Sequence, residues 1–297
     1  MRNASPRGPF QVRPFDFQAP ASVGQTLRLL DEHGADATLL AGGQSLMILL
    51  RQGLVAPGTL IGLKRVEELA TVERRDGGLL LGSMVTYRSA AADPLVAERA
   101  PLVARAAGSV GSVHIRNLGT VGGAVCHADP AGDLPTVLLA LDASLHTLRP
   151  GGAAATHPVD GFFQGLFETS LDTGELLVSI ELPRQPEGAR FGYRRFSFRH
   201  GEYPMAVAAC RLAFEGGRCA GARVAVGGGG LHPARLRPLE ELLEGATRDE
   251  ALEATRTDAP FESLRPIADV RGGEAWKRRV VTELIRRTLG DALGEAA

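Results

Sequence analysis

Apolar positions recur at helical spacing near both ends of the chain and gather into short blocks between them. Val23, Leu27 and Leu30 fall on one face of a helix that starts at Ser22, where Gln25 three positions on completes a capping-box pattern. Gly34 is placed to stop it. Pro14 to Pro20 reads as an extended entry to that helix, and Thr38 to Ala41 has the composition of a short buried strand. The strand runs into a glycine turn, Gly42-Gly43-Gln44-Ser45, and then into a second apolar segment. Further on, Asp133-Leu134-Pro135 opens an apolar helix with Asp133 as its N-cap. Met205 to Phe214 and Cys219 to Val226 read as a hairpin across the turn Glu215-Gly216-Gly217-Arg218, closed by the run Gly227 to Gly230. At the end of the chain Trp276, Val280, Val281, Leu284, Ile285 and Thr288 form a stripe at helical spacing, the packed face of a helix. Lys277, Arg278, Arg279, Arg286 and Arg287 take polar positions as a solvated basic face.

Length changes the picture, because 297 residues exceed the usual single core and divide better into two or three packed units. Hydrophobic residues make up 44% and charged ones 23%, which fits an ordinary folded protein rather than a disordered chain. With 33 basic against 34 acidic side chains, the chain lacks the charge footprint of a nucleic-acid binder. Cys126, Cys210 and Cys219 cannot all pair and form no CxxC, so neither a disulfide framework nor a self-contained iron-sulfur or zinc site is indicated. No segment approaches the roughly 20 apolar residues of a membrane span and no signal-length apolar run opens the chain, so a soluble, cytoplasmic protein is expected. Glycines and prolines punctuate short elements throughout, and no internal repeat is evident.

Two glycine clusters carry candidate chemistry. Gly42 and Gly43, lacking Cβ atoms, can adopt positive φ and turn consecutive amides toward an anion, with Gln44 and Ser45 beside them. Alone the pair also fits an ordinary turn, since it matches neither G-x-G-x-x-G nor G-x-x-x-x-G-K-[ST]. His114 to Ala143 repeats the chemistry: Gly119, Gly122 and Gly123 surround Thr120, whose hydroxyl and neighbouring amides can hold phosphate oxygens. Asp133 caps the following helix or accepts from ribose hydroxyls. His114, Arg116, Cys126 and His127 crowd the same stretch without metal-ligand spacing, His127 and Cys126 being neighbours on a segment taken as extended, and read as polar lining of a ligand loop.

LLAGGQSL at Leu39 to Leu46, HIRNLGTVGG at His114 to Gly123, HADPAGDLP at His127 to Pro135 and GELLVSIELP at Gly174 to Pro183 resemble, in order and spacing, the flavin-binding medium subunits of the molybdenum hydroxylases. That family is typified by the carbon monoxide dehydrogenase medium subunit and the central part of xanthine dehydrogenase. The likeness extends over nearly the whole chain.

The resemblance implies an α+β architecture, a vanillyl-alcohol-oxidase (PCMH)-type FAD-binding fold of two subdomains, residues 1–62 and 63–184, plus a small C-terminal α+β domain over residues 190–297. It also implies the ligand, a non-covalent FAD whose diphosphate faces Gly42, Gly43, Gln44 and Ser45 on one side and Thr120, Gly122 and Gly123 on the other. Asp133 would take ribityl or ribose hydroxyls, and Leu177 would pack near a cofactor ring. Leu39, Leu40, Ala41, Leu46, Val110 and Ile115 complete the expected contacts. Two positions depart from the family pattern: Ala124 stands where Asn or Ser is usual, and Arg195 stands in for a cofactor-contacting lysine, with a different reach and geometry. By the same resemblance the chain takes electrons from two [2Fe-2S] clusters on a small subunit, itself served by a molybdopterin large subunit, and passes them to an external acceptor. The expected assembly is a dimer of such heterotrimers, a heterohexamer. A self-contained FAD-dependent oxidase of the same fold is the alternative. Substrate and acceptor are not legible, because the substrate site of such complexes lies on another polypeptide.

Overall fold

The computed structural model describes residues 12–199 and 201–294. Three principal sheets follow one another along the chain. The first is parallel, with β1 (Asp16–Gln18), β2 (Ala37–Leu40) and β3 (Thr59–Gly62) in the order β1-β3-β2. Helix α1 (Val23–His33) makes the β1-to-β2 crossover. Ser22 caps it by accepting from the Gln25 amide, and Gln25 Oε1 reaches back to the Ala21 amide at 2.8 Å, one residue earlier than a strict capping box. Gly34 ends it at φ +52°. Helix α2 (Leu46–Arg51) follows the glycine turn. β2 is not the buried strand its composition suggested: all four residues are half-exposed, so one of its flanks is left open.

The second sheet is antiparallel, in the order β4-β5-β10-β6-β7, from β4 (Val72–Arg75), β5 (Gly78–Gly82), β6 (Ser144–Leu148), β7 (Ala154–Pro158) and β10 (Leu176–Leu182). A small hairpin, β8 (Phe163–Gly165) with β9 (Glu168–Thr169), lies between. Between β5 and β6 the chain inserts a helical layer: α3 (Tyr87–Ala92), α4 (Pro94–Arg99), α5 (Pro101–Ser109), α6 (Val113–Leu118), α7 (Val121–His127) and α8 (Asp133–Ala140). Their apolar faces and the sheet share one core that includes Leu102, Val125, Leu134 and Ile180. In α8 Gly132 is the N-cap and Asp133 the first helical residue, one position from the sequence-based reading.

The third sheet, β11 (Arg190–Phe196), β12 (Ala206–Glu215), β13 (Arg218–Gly227) and β14 (Ala234–Arg235), is antiparallel in chain order. Gly216 and Gly217, both at positive φ, make the expected turn between β12 and β13. Successive side chains of β12 serve two cores, as the period of a strand requires. Ala206, Ala208, Cys210 and Leu212 pack toward α9 (Arg237–Leu243), α10 (Arg248–Arg256) and α11 (Glu274–Leu293), whereas Val207 and Ala209 join the core of the helical layer. Arg211, on that second face, donates to Asp142 at 2.9 Å, and Arg223 and Arg235 converge on the same carboxylate. The third sheet is thereby fixed against the second by both apolar and charged contacts. In α11 the stripe of Val281, Leu284, Ile285 and Thr288 is buried as expected. Lys277 is not solvated but buried, its ammonium donating to Ile267 O and pairing with Asp269, each at 2.7 Å.

Candidate functional site

Gly42 and Gly43 have different tasks. A Cβ on Gly42 would lie 2.0 Å from Leu118 O, so the missing side chain lets the first glycine turn press directly against the end of α6. Gly43 instead sits at φ +69°, which an L side chain adopts only with strain. The result is a run of amides, Gly42, Gly43, Gln44 and Ser45, that donate to no acceptor among the described residues. Half-exposed backbone donors in consecutive order form a cradle for an anion.

The second cluster meets the first. Gly123 brings its α-carbon to where a Cβ would be 3.7 Å from Ala41 Cβ, and Gly119 accepts the Tyr87 ring, which a Cβ would meet at 2.7 Å. Most of its amides are occupied, contrary to the expectation that both turns offer bare backbone, the Thr120 amide alone having no acceptor among the described residues. Val121 N donates to Val85 O, Gly122 N to Ser83 O, Gly123 N to the Thr120 hydroxyl at 3.0 Å and Ala124 N to Thr120 O. Gly122 is demanded by packing on Ser83, whose Cβ would be 2.5 Å away from an added one. What this side offers an anion is the Thr120 amide and the proton of the Thr120 hydroxyl, whose oxygen caps α7. Ser83 Oγ, in a residue 4% exposed, has no partner among the described residues. Cys126 and His127 close α7, which is helical where an extended segment had been expected.

Asp133, 5% exposed, accepts from the Tyr193 hydroxyl at 2.6 Å and lies 3.1 Å from Arg195 Nε. Burial raises the pKa of its carboxyl above the ordinary value, against the opposing pull of Arg195 and Tyr193. Arg195 is anchored by the protein itself, donating through Nη1 to Ser109 O at 2.7 Å and through Nη2 to Glu202 O at 2.9 Å. It thus joins Asp133 to the segment that follows β11. Leu177 is buried in the core of the helical layer, while Leu39, Leu40, Ala41, Leu46, Val110, Ile115 and Ala124 are half-exposed. The structure therefore brings the two glycine turns together, pairs Asp133 of the layer that carries the second turn with Arg195 of β11, and buries Leu177 in that layer's core.

Sequence reasoning passed over several tyrosines. Tyr193 shares a face of β11 with Arg195, two residues on, and this period-2 relation was a readable signal that both reach Asp133. Tyr203 has a half-exposed ring, yet its hydroxyl faces Asp129, and burial beside that carboxylate pushes it well above the ordinary phenol range. Nothing in the local sequence Gly201-Glu202-Tyr203-Pro204 marks it, since its partner comes from the α7–α8 loop.

Against this geometry, the model of the FAD binding domain in molybdopterin dehydrogenase matches residues 13–185, and that of the CO dehydrogenase flavoprotein C-terminal domain matches residues 191–292. The chain belongs to the FAD-binding medium subunits of the molybdenum hydroxylases. It is 34% identical to the 6-hydroxypseudooxynicotine dehydrogenase complex subunit alpha of Paenarthrobacter nicotinovorans, covering 95% of each chain. To the carbon monoxide dehydrogenase medium chain of Hydrogenophaga pseudoflava it is 31% identical over 95% of this chain and 98% of that one. The solved carbon monoxide dehydrogenase of the same organism superposes with a TM-score of 0.91 at 30% identity, covering 97% of this chain and all of that chain. The fold is accordingly of the PCMH type with a C-terminal domain, and the chain is an oxidoreductase subunit with FAD as its cofactor. No helix among the described residues is long and apolar enough to cross a membrane.

The residues present fit that cofactor. Four amides without protein acceptors suit one diphosphate, the Thr120 hydroxyl adds a donor from the facing turn, and half-exposed Leu39, Leu40 and Ile115 are apolar surface that a ring system can cover.

Proposed function

We propose that the chain is the electron-transfer subunit of a three-subunit molybdenum hydroxylase, receiving electrons from [2Fe-2S] clusters of a small subunit and delivering them to an external acceptor. A molybdopterin large subunit completes the trio, and two trios form the assembly. The observation that carries the reading is the unpartnered amide run Gly42 to Ser45 held against the second glycine turn, a diphosphate cradle split between residues 1–62 and 63–184. Bound there, non-covalent FAD supplies two-electron redox chemistry with single-electron access.

The chain's own residues bind, orient and insulate. Gly42 to Ser45 and Thr120 hold the diphosphate. Asp133, kept in place by Tyr193 and Arg195, accepts from a ribityl or ribose hydroxyl. Leu39, Leu40, Ala41, Leu46, Val110, Ile115 and Ala124 form the apolar walls, with Leu177 supporting them from the core. Arg195 acts through Asp133 and the Glu202 carbonyl rather than in the manner of a free lysine.

Three free cysteines, two of them buried, cannot ligate a four-cysteine cluster, so the single-electron relay comes from a partner. The stretch His114 to Asn117 and the exposed Cys126, next to the second turn, are where that partner's cluster approaches. The test is native purification with iron, molybdenum and mass analysis, followed by stopped-flow flavin reduction on adding substrate. A heterotrimeric unit with cluster-dependent reduction is expected. A monomer free of both metals that reduces its own flavin with an organic substrate would establish the self-contained oxidase instead.

A further inference from the structure

A cavity of about 230 Å³ opens beside the α7–α8 loop, against the third sheet. Its walls are apolar, formed by Leu166, Phe167, Met205 and Ile267, and its polar lining includes Asp129 and Arg271. Asp129 faces the Tyr203 hydroxyl and belongs to the loop that leads into Asp133, so the cavity and the cofactor site share one loop.

The charges around the cavity cancel. Lys277 and Arg271 are both engaged with Asp269, at 2.7 and 3.0 Å, and Asp129 adds a second carboxyl. No spare cation remains for a phosphate. Nor is the adjoining glycine run a phosphate loop: the Gly228 amide donates to Pro130 O at 2.7 Å, and a Cβ there would lie 2.2 Å from Met205 O, so strand packing demands that glycine. A dinucleotide also exceeds the volume.

What the walls offer is a flat aromatic surface. Phe167 occupies the second turn position of the β8–β9 hairpin at φ +58°, where glycine or asparagine is usual and a bulky side chain is strained. Its ring is half-exposed and sits 5.1 Å from the His127 ring.

We propose that this cavity binds an uncharged planar quinone as the electron acceptor, stacked on Phe167 with a carbonyl oxygen toward the Arg271 guanidinium. The proposal rests on the electron-transfer reading above. Quinone reduction takes two electrons and two protons to give the quinol, both drawn from the two-electron-reduced flavin, which returns to its oxidised form. Burial raises the pKa of the Asp129 carboxyl above the ordinary value, against the opposing pull of the Ala131 amide, His127 and Tyr203.

The test is calorimetric titration of the flavin-loaded chain with a tetrasubstituted short-chain benzoquinone, which leaves no ring position for the exposed Cys126 thiol to attack. NADH is titrated in parallel. Gly230→Leu plugs the cavity mouth from a position where an added Cβ meets only open space, and Phe167→Gly removes the wall while relieving its backbone. Saturable binding of one quinone per chain is expected, weakened at least ten-fold by each variant, with FAD content unchanged and the melting temperature not lowered. Absence of saturable quinone binding, equal binding by the variants, or NADH binding abolished by the plug would each overturn the proposal. FAD content, measured on the same samples, separates this outcome from failure of the electron-transfer reading: a chain that holds FAD but no quinone refutes the cavity alone.

Discussion

Replacing Gly43 by alanine isolates what the first turn does, because the chain provides a matched control on the other side of α2. Gly43 and Gly53 have nearly the same φ, +69° and +68°. A Cβ on Gly53 meets nothing within 4 Å, and one on Gly43 meets only Leu40 Cδ1 at 3.3 Å and Met47 Cγ at 3.4 Å, both movable side-chain atoms. Left-handed backbone costs an alanine about 1 to 2 kcal/mol, so both variants lose similar stability in chemical denaturation. They part on the cofactor. If Gly43 relaxes toward negative φ its amide turns away from the cradle, and one hydrogen bond to a charged group is lost, worth about 1.5 to 3 kcal/mol. At 1.4 kcal/mol per decade the dissociation constant for FAD rises about 10- to 150-fold in Gly43→Ala and stays within about two-fold of the parent in Gly53→Ala. Quenching of FAD fluorescence on titration with flavin-free protein measures both. Equal affinities in the two folded variants would remove Gly42 to Ser45 from the diphosphate site.

Three further outcomes follow from the packing. Asp133→Asn leaves Arg195 without its ion partner in a buried setting and should cost about 3 kcal/mol of stability in urea unfolding; lowered stability with unchanged FAD affinity would assign Asp133 to structure alone. Asp142→Asn keeps a residue type that tolerates the φ of +53° while removing the carboxylate that Arg211, Arg223 and Arg235 share. With Asp142 about a third exposed, a loss of about 2 kcal/mol is expected, and an unchanged urea midpoint would show that the charges do not fix the third sheet. Burial raises the Glu175 carboxyl, but hydrogen bonds from Thr147, His157 and the Asp172 amide prevail and hold it below its ordinary 4.5. The folded value being the lower one, wild type should outlast Glu175→Gln in urea above pH 4.5 and lose that advantage as pH falls below it, and a pH-independent difference would refute the assignment.

Local chemistry was legible in the sequence where a residue's task is decided within a few positions. Ser22, Gln25 and Gly34 bound α1 because capping is a short-range event, the β12–β13 hairpin was marked by its glycine turn, and the stripe of α11 follows from the period of a helix. The glycine turns were legible as chemistry, but the reason for each glycine was not. Gly42 answers to Leu118, Gly122 to Ser83 and Gly119 to Tyr87, contacts set by tertiary approach between segments more than thirty residues apart. The occupied amides of Val121 and Gly122 were hidden for the same reason, since their acceptors Val85 and Ser83 lie on the connection after β5. Lys277 read as a surface charge because its partners, Ile267 O and Asp269, belong to an irregular loop with no periodic signal.

The flavin content of the purified chain tests the central claim most directly. Acid precipitation of natively purified protein, followed by chromatographic quantification of the released cofactor, should give one FAD per chain in the supernatant and a colourless pellet. A protein that carries no flavin and takes up none from excess FAD, or one that releases FMN, would contradict the assignment of the two glycine turns to a dinucleotide diphosphate.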